Sequence, residues 1–245
     1  MTNEIKQSIL TLKEIAHLQD KASTMQQFQL VTSISQQYKG LILLLELLIE
    51  RNESPKTELL YLDGIILKSI YTCQIESLQL ALNKYLPNGI INLDSEYSIN
   101  YRPLYVSLIS NDFKEANTLT QNYLNQLAQL HNKNKRQWLY FTDIFRLPEK
   151  DLQTIDQLWN IYSNGKFGFS IQRKIWLYNN KDWEKFWHII GWKINQKYAR
   201  YPNEFIWDNT APIGHLPLFN QMRGVQVLET LFTHPVWNKE VYTRT

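Results

Sequence analysis

A single cysteine, Cys73, occurs in this 245-residue chain, so no intramolecular disulfide can form and a reducing compartment is expected. No basic residue lies next to it to lower its pKa, and the thiol reads as structural. Glycine and proline are scarce, eight of each, which argues against a turn-rich all-β fold and for helices. Long apolar runs are missing too. The most apolar stretch, GLILLLELLIE (Gly40–Glu50), is about half of the ~20 residues that a bilayer-spanning helix needs, and it contains Glu46. It reads as a buried helix. The opening MTNEIKQSIL has early acids and no Arg/Ser-rich amphipathic stretch, so neither a secretory signal nor a transit peptide is expected.

The patterns that carry common chemistries are also missing. There is no Ser/His/Asp order, no Cys/His metal spacing and no discernible pair of carboxylates for acid–base work. SNGKFGF (Ser163–Phe169) has only two glycines and no Lys-Ser/Thr ending, so it is not a phosphate cradle. The five histidines, His17, His131, His188, His215 and His234, are scattered rather than set four apart. His215, in the turn Gly214–Leu216, is expected to fix its loop by hydrogen bonds; haem ligation is the sharper alternative. No enzyme and no site for free metal is expected.

What is present is an ordinary globular composition, 44% hydrophobic and 20% charged, with a net charge of +3. Residues 1–90 carry 8 Lys/Arg against 9 Asp/Glu; the rest hold 18 of the 26 basic and 14 of the 23 acidic residues, and all eight tryptophans. Basicity and flat apolar surface therefore coincide in the second part. Nucleic acid is one partner for that pairing, but the surplus is thin and no nucleic-acid module is recognisable.

Apolar residues at three-four spacing predict helices over Ile5–Leu18, Met25–Gln37, Gly40–Arg51, Thr57–Tyr71 and Ile75–Tyr85, with a break at Ser54-Pro55. Such short-linked helices pack as a bundle, with armadillo-like offset as a variant. Leu86–Asn100, rich in turn residues, reads as a connection, dividing a bundle over 1–90 from a second domain over 91–245. There, helices are expected at Arg102–Ile109 and at Phe113–Leu130, the latter capped by Asn111 or Asp112 with Phe113, Ala116, Leu119, Tyr123, Leu127 and Leu130 on one side. HNKNKRQW (His131–Trp138) reads as a solvated basic loop. A helix beginning with Glu149 and Asp151 ends at Asn164-Gly165. Another starts with Ser170 as N-cap and Ile171, Ile175 and Tyr178 inward, and Asp182 caps the next. Trp159, Trp176, Trp187 and Trp192 are expected in the core. The fold class is all-α.

YARYPNEFIWDNTAPIGHLPLFNQMRG (Tyr198–Gly224) stands apart. Tyr198, Tyr201, Phe205 and Trp207 fall in a segment broken by Pro202, Pro212 and Gly214, hence on a loop. Pro217 then suits a helix start, with Asn220, Arg223 and Gln226 along one stripe. Flat apolar side chains beside one guanidinium and two carboxamides suit a large planar ligand with anionic edges; the plainer reading is core aromatics and a solvated arginine.

Five blocks bear on that choice. DLQTIDQLWNIYSNGKFGFSIQRKIW (Asp151–Trp176), IIGWK (Ile189–Lys193), APIGHLPL (Ala211–Leu218), NQMRGV (Asn220–Val225) and HPVW (His234–Trp237) together resemble the Genomes Uncoupled 4 family, porphyrin-binding accessory proteins of magnesium chelatase in oxygenic phototrophs. The likeness is strong over about 101–237 and looser before. It implies a helical N-terminal bundle, a porphyrin-binding core and a monomer without catalytic activity, with peripheral membrane association left open. Such a protein holds protoporphyrin IX or Mg-protoporphyrin IX for the large porphyrin-binding subunit of the chelatase, stimulates it, and shields the cell from free porphyrin. Positions matching the family groove are Tyr198, Tyr201, Phe205 and Trp207, with Phe141 and Ile144 on the opposite wall and Arg223 facing a propionate. Asn220 is the candidate axial oxygen for magnesium, with water as the alternative. Two departures stand out. Gln226 replaces a second arginine, which implies a neutral propionate contact that either weakens binding or passes to Arg200, Lys197 or a backbone amide, and Tyr201 stands where tryptophan is frequent. The chain ends eight residues after Trp237, where plant relatives carry a phosphorylatable extension. Abundant Asn, Ile, Lys and Tyr fit an AT-rich genome, hence a plastid-encoded stromal protein or a cyanobacterial cytoplasmic one. A bilin-binding sensor or scaffold and an aromatic RNA binder are the competing readings.

Overall fold

The computed structural model describes residues 2–54, 58–130, 139–219 and 225–238. It is mostly helical, and the described residues divide into two compact units on either side of the Asn92–Leu93 bond. Pro55, the loop 131–138, Asn220 and Arg223, singled out above, lie outside the described residues.

The first unit contains α1 (Thr2–Ile15), α2 (Lys21–Ser35), α3 (Tyr38–Glu53), α4 (Tyr61–Thr72) and α5 (Glu76–Tyr85). Each of α1 to α4 packs on the next, and α1 also meets α3 while α2 meets α4, as in stacked helix pairs. Leu12, Leu44, Leu48, Leu62, Ile66 and Ile70 are fully buried between them, as the three-four spacing requires. Asp20 starts α2 by accepting the N–H groups of Ala22 and Ser23. The start of α4 falls at Tyr61 rather than Thr57. There Asp63, wholly buried, accepts the Leu60 N–H at 3.0 Å and a two-nitrogen clasp from Arg51 at 2.6 and 3.1 Å.

The second unit opens with an extended segment to Tyr101, followed by α6 (Arg102–Ile109), α7 (Phe113–Gln129), α8 (Phe141–Ile144), α9 (Glu149–Tyr162), α10 (Phe169–Tyr178) and α11 (Trp183–Ile189). An antiparallel hairpin follows, β1 (Lys193–Ile194) with β2 (Lys197–Tyr198), then α12 (Gln226–Phe232) and a 3-10 turn at Pro235–Asn238. Pro103 starts α6 and Asp112 caps α7 through the Glu115 N–H. α6 packs on α7 and α9, and Trp159 Nε1 donates to Thr120 Oγ1 at 2.9 Å to tie α9 to α7. Trp159, Trp176, Trp187 and Trp192 are all buried. The last three join Trp183, Phe186 and Phe232 in one aromatic cluster, with Trp187 and Trp192 stacked at 5.4 Å.

Four expectations change. The inner side of α7 is rotated: Leu130 is exposed, while Asn117, Thr120 and Leu124 are buried beside Phe113, Ala116 and Tyr123. The N-cap of α10 is Gly168, not Ser170; with φ at 130°, its backbone lies where a Cβ would come within 2.9 Å of Asp156 Oδ1. That carboxylate accepts the Ser170 N–H at 2.8 Å, so the capping acceptor comes from α9 instead of the local serine. Tyr178 is 89% exposed, and Gln172 and Trp176 take the inner face of α10 with Ile171. Finally, no helix begins at Pro217: residues 217–219 are irregular, the Leu216–Pro217 peptide is cis, and the described helix starts at Gln226.

The unit is closed at its start by Asp151. Besides standing in the first turn of α9, this carboxylate is fully buried and accepts from Ser95 Oγ at 2.5 Å, Glu96 N at 2.9 Å and Tyr101 Oη at 2.6 Å. Burial and then the carboxylate push the Tyr101 phenol well above its usual pKa. Asp151→Ala strands three donors and is expected to destabilise the unit by about 3 kcal/mol or more, read as a lower urea midpoint of tryptophan fluorescence. Since every tryptophan lies beyond residue 90, that signal reports on this unit. An unchanged midpoint would show that the buried carboxylate does not hold the extended segment.

Candidate functional site

The described stretch after β2, Ala199–Phe219, has almost no regular structure, so its backbone groups need partners of another kind. Side chains of the helices supply them. From α10, Gln172 Nε2 donates to the carbonyls of Gly214 and Pro217 at 2.9 and 2.8 Å. From α7, Asn117 Oδ1 accepts the Leu218 N–H at 2.7 Å and Gln121 donates to the Leu218 carbonyl. Around the turn after α9, Gly214 N–H donates to Lys166 O and Gly168 N–H to Leu216 O. Gly214 sits at φ 79°, where a side chain is strained, and an added Cβ would also meet Ile175 Cδ1 at 2.6 Å and displace it.

His215 is the centre of this fastening. Its ring is 1% exposed, with Nδ1 2.6 Å from the Ile190 carbonyl at the end of α11 and Nε2 accepting the Ile206 N–H at 3.1 Å. Its own carbonyl accepts Trp192 Nε1 at 2.8 Å. With both ring nitrogens engaged by backbone, the hydrogen-bonding role stands, and haem ligation would require breaking one of these bonds. Burial first, and the Lys166 cation as well, lower its pKa, opposed by the Ile190 carbonyl.

The four aromatics of Tyr198–Trp207 part company on this frame. Phe205 is turned inward, 5% exposed, with its ring centroid 5.5 Å from that of His215 and 6.4 Å from that of Trp192. Tyr198 and Tyr201 are 52% and 58% exposed. Tyr198 stands on β2 with its edge to Trp187 and Lys193 over its ring. Tyr201 meets the half-buried Trp207 edge-on at 6.0 Å, while Trp207 Nε1 donates to Pro202 O at 2.9 Å. The hairpin under Tyr198 turns through Asn195 and Gln196, both at positive φ, as a tight two-residue turn demands. Two-residue strands are too short for alternation to reveal, so the sequence reading missed it.

On α8, Phe141 is 48% exposed and Ile144 wholly buried, and the following Phe145 is 66% exposed. α8 packs on α12, whose first residue, Gln226, is exposed. The structure thus brings Tyr201, Trp207 and Phe205 into ring contact with one another and, separately, packs the helix bearing Phe141 and Ile144 on the one that starts at Gln226. The cationic residues Lys197 and Arg200 are exposed beside the outward tyrosines. Residues missed by sequence reasoning are the fasteners Asn117, Gln121 and Gln172; their one signal was an amide interrupting an apolar helix face. Among the described residues no cluster of three or more His, Cys, Asp or Glu could hold a metal ion, and no helix is long and apolar enough to cross a membrane.

This division of the rings has a measurable consequence. Phe205→Ala is expected to cost about 3–5 kcal/mol in thermal or urea unfolding, and Tyr201→Ala less than about 1 kcal/mol. Equal losses would mean that the two rings are equally buried.

Comparison with known proteins follows the same boundaries. Residues 94–235 match the model of the family described as GUN4-like. A protein of Porphyra purpurea designated ycf53 is 42% identical over 97% of this chain and 99% of its own length. A chloroplastic tetrapyrrole-binding protein of Arabidopsis thaliana is 35% identical over 53% of this chain and 52% of its own. The solved structure of GUN4 from Chlamydomonas reinhardtii superposes with a TM-score of 0.56 and 39% identity, covering 61% of this chain and 95% of that one. The inward and outward rings, the fastened loop and the helices that hold it therefore belong to a member of the GUN4-like family.

Proposed function

We propose that this chain is a non-catalytic tetrapyrrole-binding protein that takes up protoporphyrin IX or Mg-protoporphyrin IX. Its role is to present the ring to the large porphyrin-binding subunit of magnesium chelatase, raising chelatase output and limiting photo-oxidative damage by free porphyrin. The plastid stroma or the cyanobacterial cytoplasm is its place of action. The observation that carries this reading is the pair of outward tyrosines, Tyr198 and Tyr201, held over half exposed on a tightly fastened frame. Large apolar side chains kept at the surface by a rigid scaffold call for a flat apolar occupant, and one relative bears the name tetrapyrrole-binding protein.

Tyr198, Tyr201 and Trp207 would face the macrocycle directly. Phe205, being buried, supports them from beneath, and Ile144 supports Phe141 in the same way. Covering several hundred Å2 of apolar surface at ~25 cal/mol/Å2 gives several kcal/mol before the costs of association. Arg223 would hold one propionate, a charge-assisted contact contributing roughly 1.5–3 kcal/mol. Gln226 offers the other only a neutral amide. When magnesium is in the ring, the Asn220 amide oxygen is the protein's candidate ligand for it.

Titration with Mg-protoporphyrin IX should quench tryptophan fluorescence saturably and with one-to-one stoichiometry, and the loaded protein should raise chelatase turnover. Arg223→Ala should weaken binding about tenfold or more without lowering the unfolding temperature, which corresponds to the propionate contact. An unchanged affinity in that variant removes the propionate role; quenching that never saturates removes the reading itself.

A further inference from the structure

We propose that His215 is a positioning residue of the ligand site: as a neutral ring it latches the aromatic segment in its binding shape, and when protonated it releases that segment and the ligand with it. The proposal rests on the tetrapyrrole reading above.

The two ring contacts define the protonation state. A carbonyl can only accept, so Nδ1 beside Ile190 O carries the proton; the Ile206 N–H donates, so Nε2 presents a bare lone pair. One neutral tautomer satisfies both. The latched residue, Ile206, sits between the buried Phe205 and the half-buried Trp207 that leans on Tyr201. His215 thereby connects the end of α11, the base of the hairpin through Trp192, and the ring-bearing segment. A proton on Nε2 would point at the Ile206 N–H, setting two donors head to head against a ring that is itself 1% exposed.

The surroundings do not soften that conflict. From the turn after α9 comes Lys166, a cation whose Nζ is engaged by the Asn209 carbonyl. From α10 comes the neutral amide of Gln172, held on Gly214 and Pro217. The end of α11 contributes Gly191, close enough that an added Cβ would stand 3.4 Å from Nδ1, and the aromatic segment contributes the Phe205 ring. Asp208, the acid two residues beyond Ile206, accepts both the N–H and the hydroxyl of Thr210. Among the described residues, Lys166 is the charged group that acts on the ring, and it disfavours the imidazolium. The closed form therefore holds its histidine below the ordinary value of 6.5, by burial first. A neutral histidine so lowered stabilises the closed form fully above 6.5, and that contribution is lost as pH falls below 6.5 toward the closed-form pKa, because the open form takes up the proton.

Two variants separate latch from bulk. His215→Gln places an acceptor where Nε2 lies and does not titrate; His215→Asn keeps a donor near Nδ1 but no acceptor for Ile206. The full-length protein is titrated with protoporphyrin IX at pH 7.5 and 5.5, and the ratio of wild-type to Gln-variant affinity cancels the titration of the ligand's own carboxylates. That ratio should fall severalfold at pH 5.5, with about tenfold as the ceiling for one histidine. Hydrogen exchange of the Ile206 amide should lose protection in wild type over the same window, keep it in His215→Gln, and lack it at both pH values in His215→Asn. A constant affinity ratio, or an Ile206 amide equally protected at both pH values in wild type, overturns the proposal. Should the variants fail to fold, imidazole 15N spectra of the wild type decide: an Nε2–H tautomer or an imidazolium at pH 7.5 overturns it. Absence of any porphyrin binding by wild type at pH 7.5 would overturn the tetrapyrrole reading and the ligand half of this proposal, while Ile206 exchange would still report on the latch itself.

Discussion

Irregular backbone inside a folded domain is the constraint on which the second unit depends. The chain after β2 runs through buried positions from Ala211 to Phe219, Ile213 and the half-buried Pro212 apart, without forming ladders or helical turns. Each buried N–H or carbonyl left without a partner costs on the order of 1–3 kcal/mol, so such a path exists only if side chains take over the work of secondary structure. Asn117, Gln121, Gln172, Trp192 and His215 do so, reaching in from the helices and the hairpin base. Their polarity in an interior that otherwise selects Leu, Ile and Trp is accounted for by that one requirement.

From this constraint follows the sorting of the aromatic residues. Phe205 and Trp192 pack beneath the fastened loop and supply the apolar contact that the hydrogen bonds alone do not. Because those rings fill the interior, Tyr198 and Tyr201 have no room within and stand outward, their positions fixed by Trp187 and Trp207. A stretch that looks uniformly aromatic in one dimension is thus half foundation and half surface. The same holds on α8, where Ile144 is foundation and Phe141 surface.

The helices were legible because helix formation writes a period into the chain. α3, α5, α6 and α7 begin or end within two residues of where apolar spacing and caps put them, and Asp112 and Asp182 cap as their positions imply. Where the decisive partner comes from elsewhere in the chain, local reading fails. Ser170 looked like the cap of α10, yet Asp156, fourteen residues earlier, supplies the acceptor and Gly168 the room. Asp151 looked like a dipole-matching acid, yet its three donors come from Ser95, Glu96 and Tyr101, fifty or more residues away. Pro217 looked like a helix start, but Gln172 claims its carbonyl and Asn117 the N–H of Leu218, which holds that stretch outside helical geometry. The site was legible as an aromatic segment and as a family likeness, whereas the inward turn of Phe205 depends on Trp192 and His215 and left no local trace.

Under the proposed function, holding Tyr198 and Tyr201 in place before any ligand arrives has an energetic consequence for recognition. A side chain ordered only when ligand arrives costs about 0.5–1.5 kcal/mol of affinity, and a loop that must order costs more. Tyr198 lies on a hairpin fixed by paired strands and by Trp187, and Tyr201 follows within three residues, braced by Trp207. Much of that ordering cost is therefore met during folding, by the hairpin and its ring contacts and by the histidine that fastens Ile206 between Phe205 and Trp207. Stability of the loop and grip on a planar ligand then share one set of bonds. On that proposal, a change that loosens the fasteners would act on binding without touching the ligand, and a buried histidine bonded to two backbone segments is one place where such a change can be made.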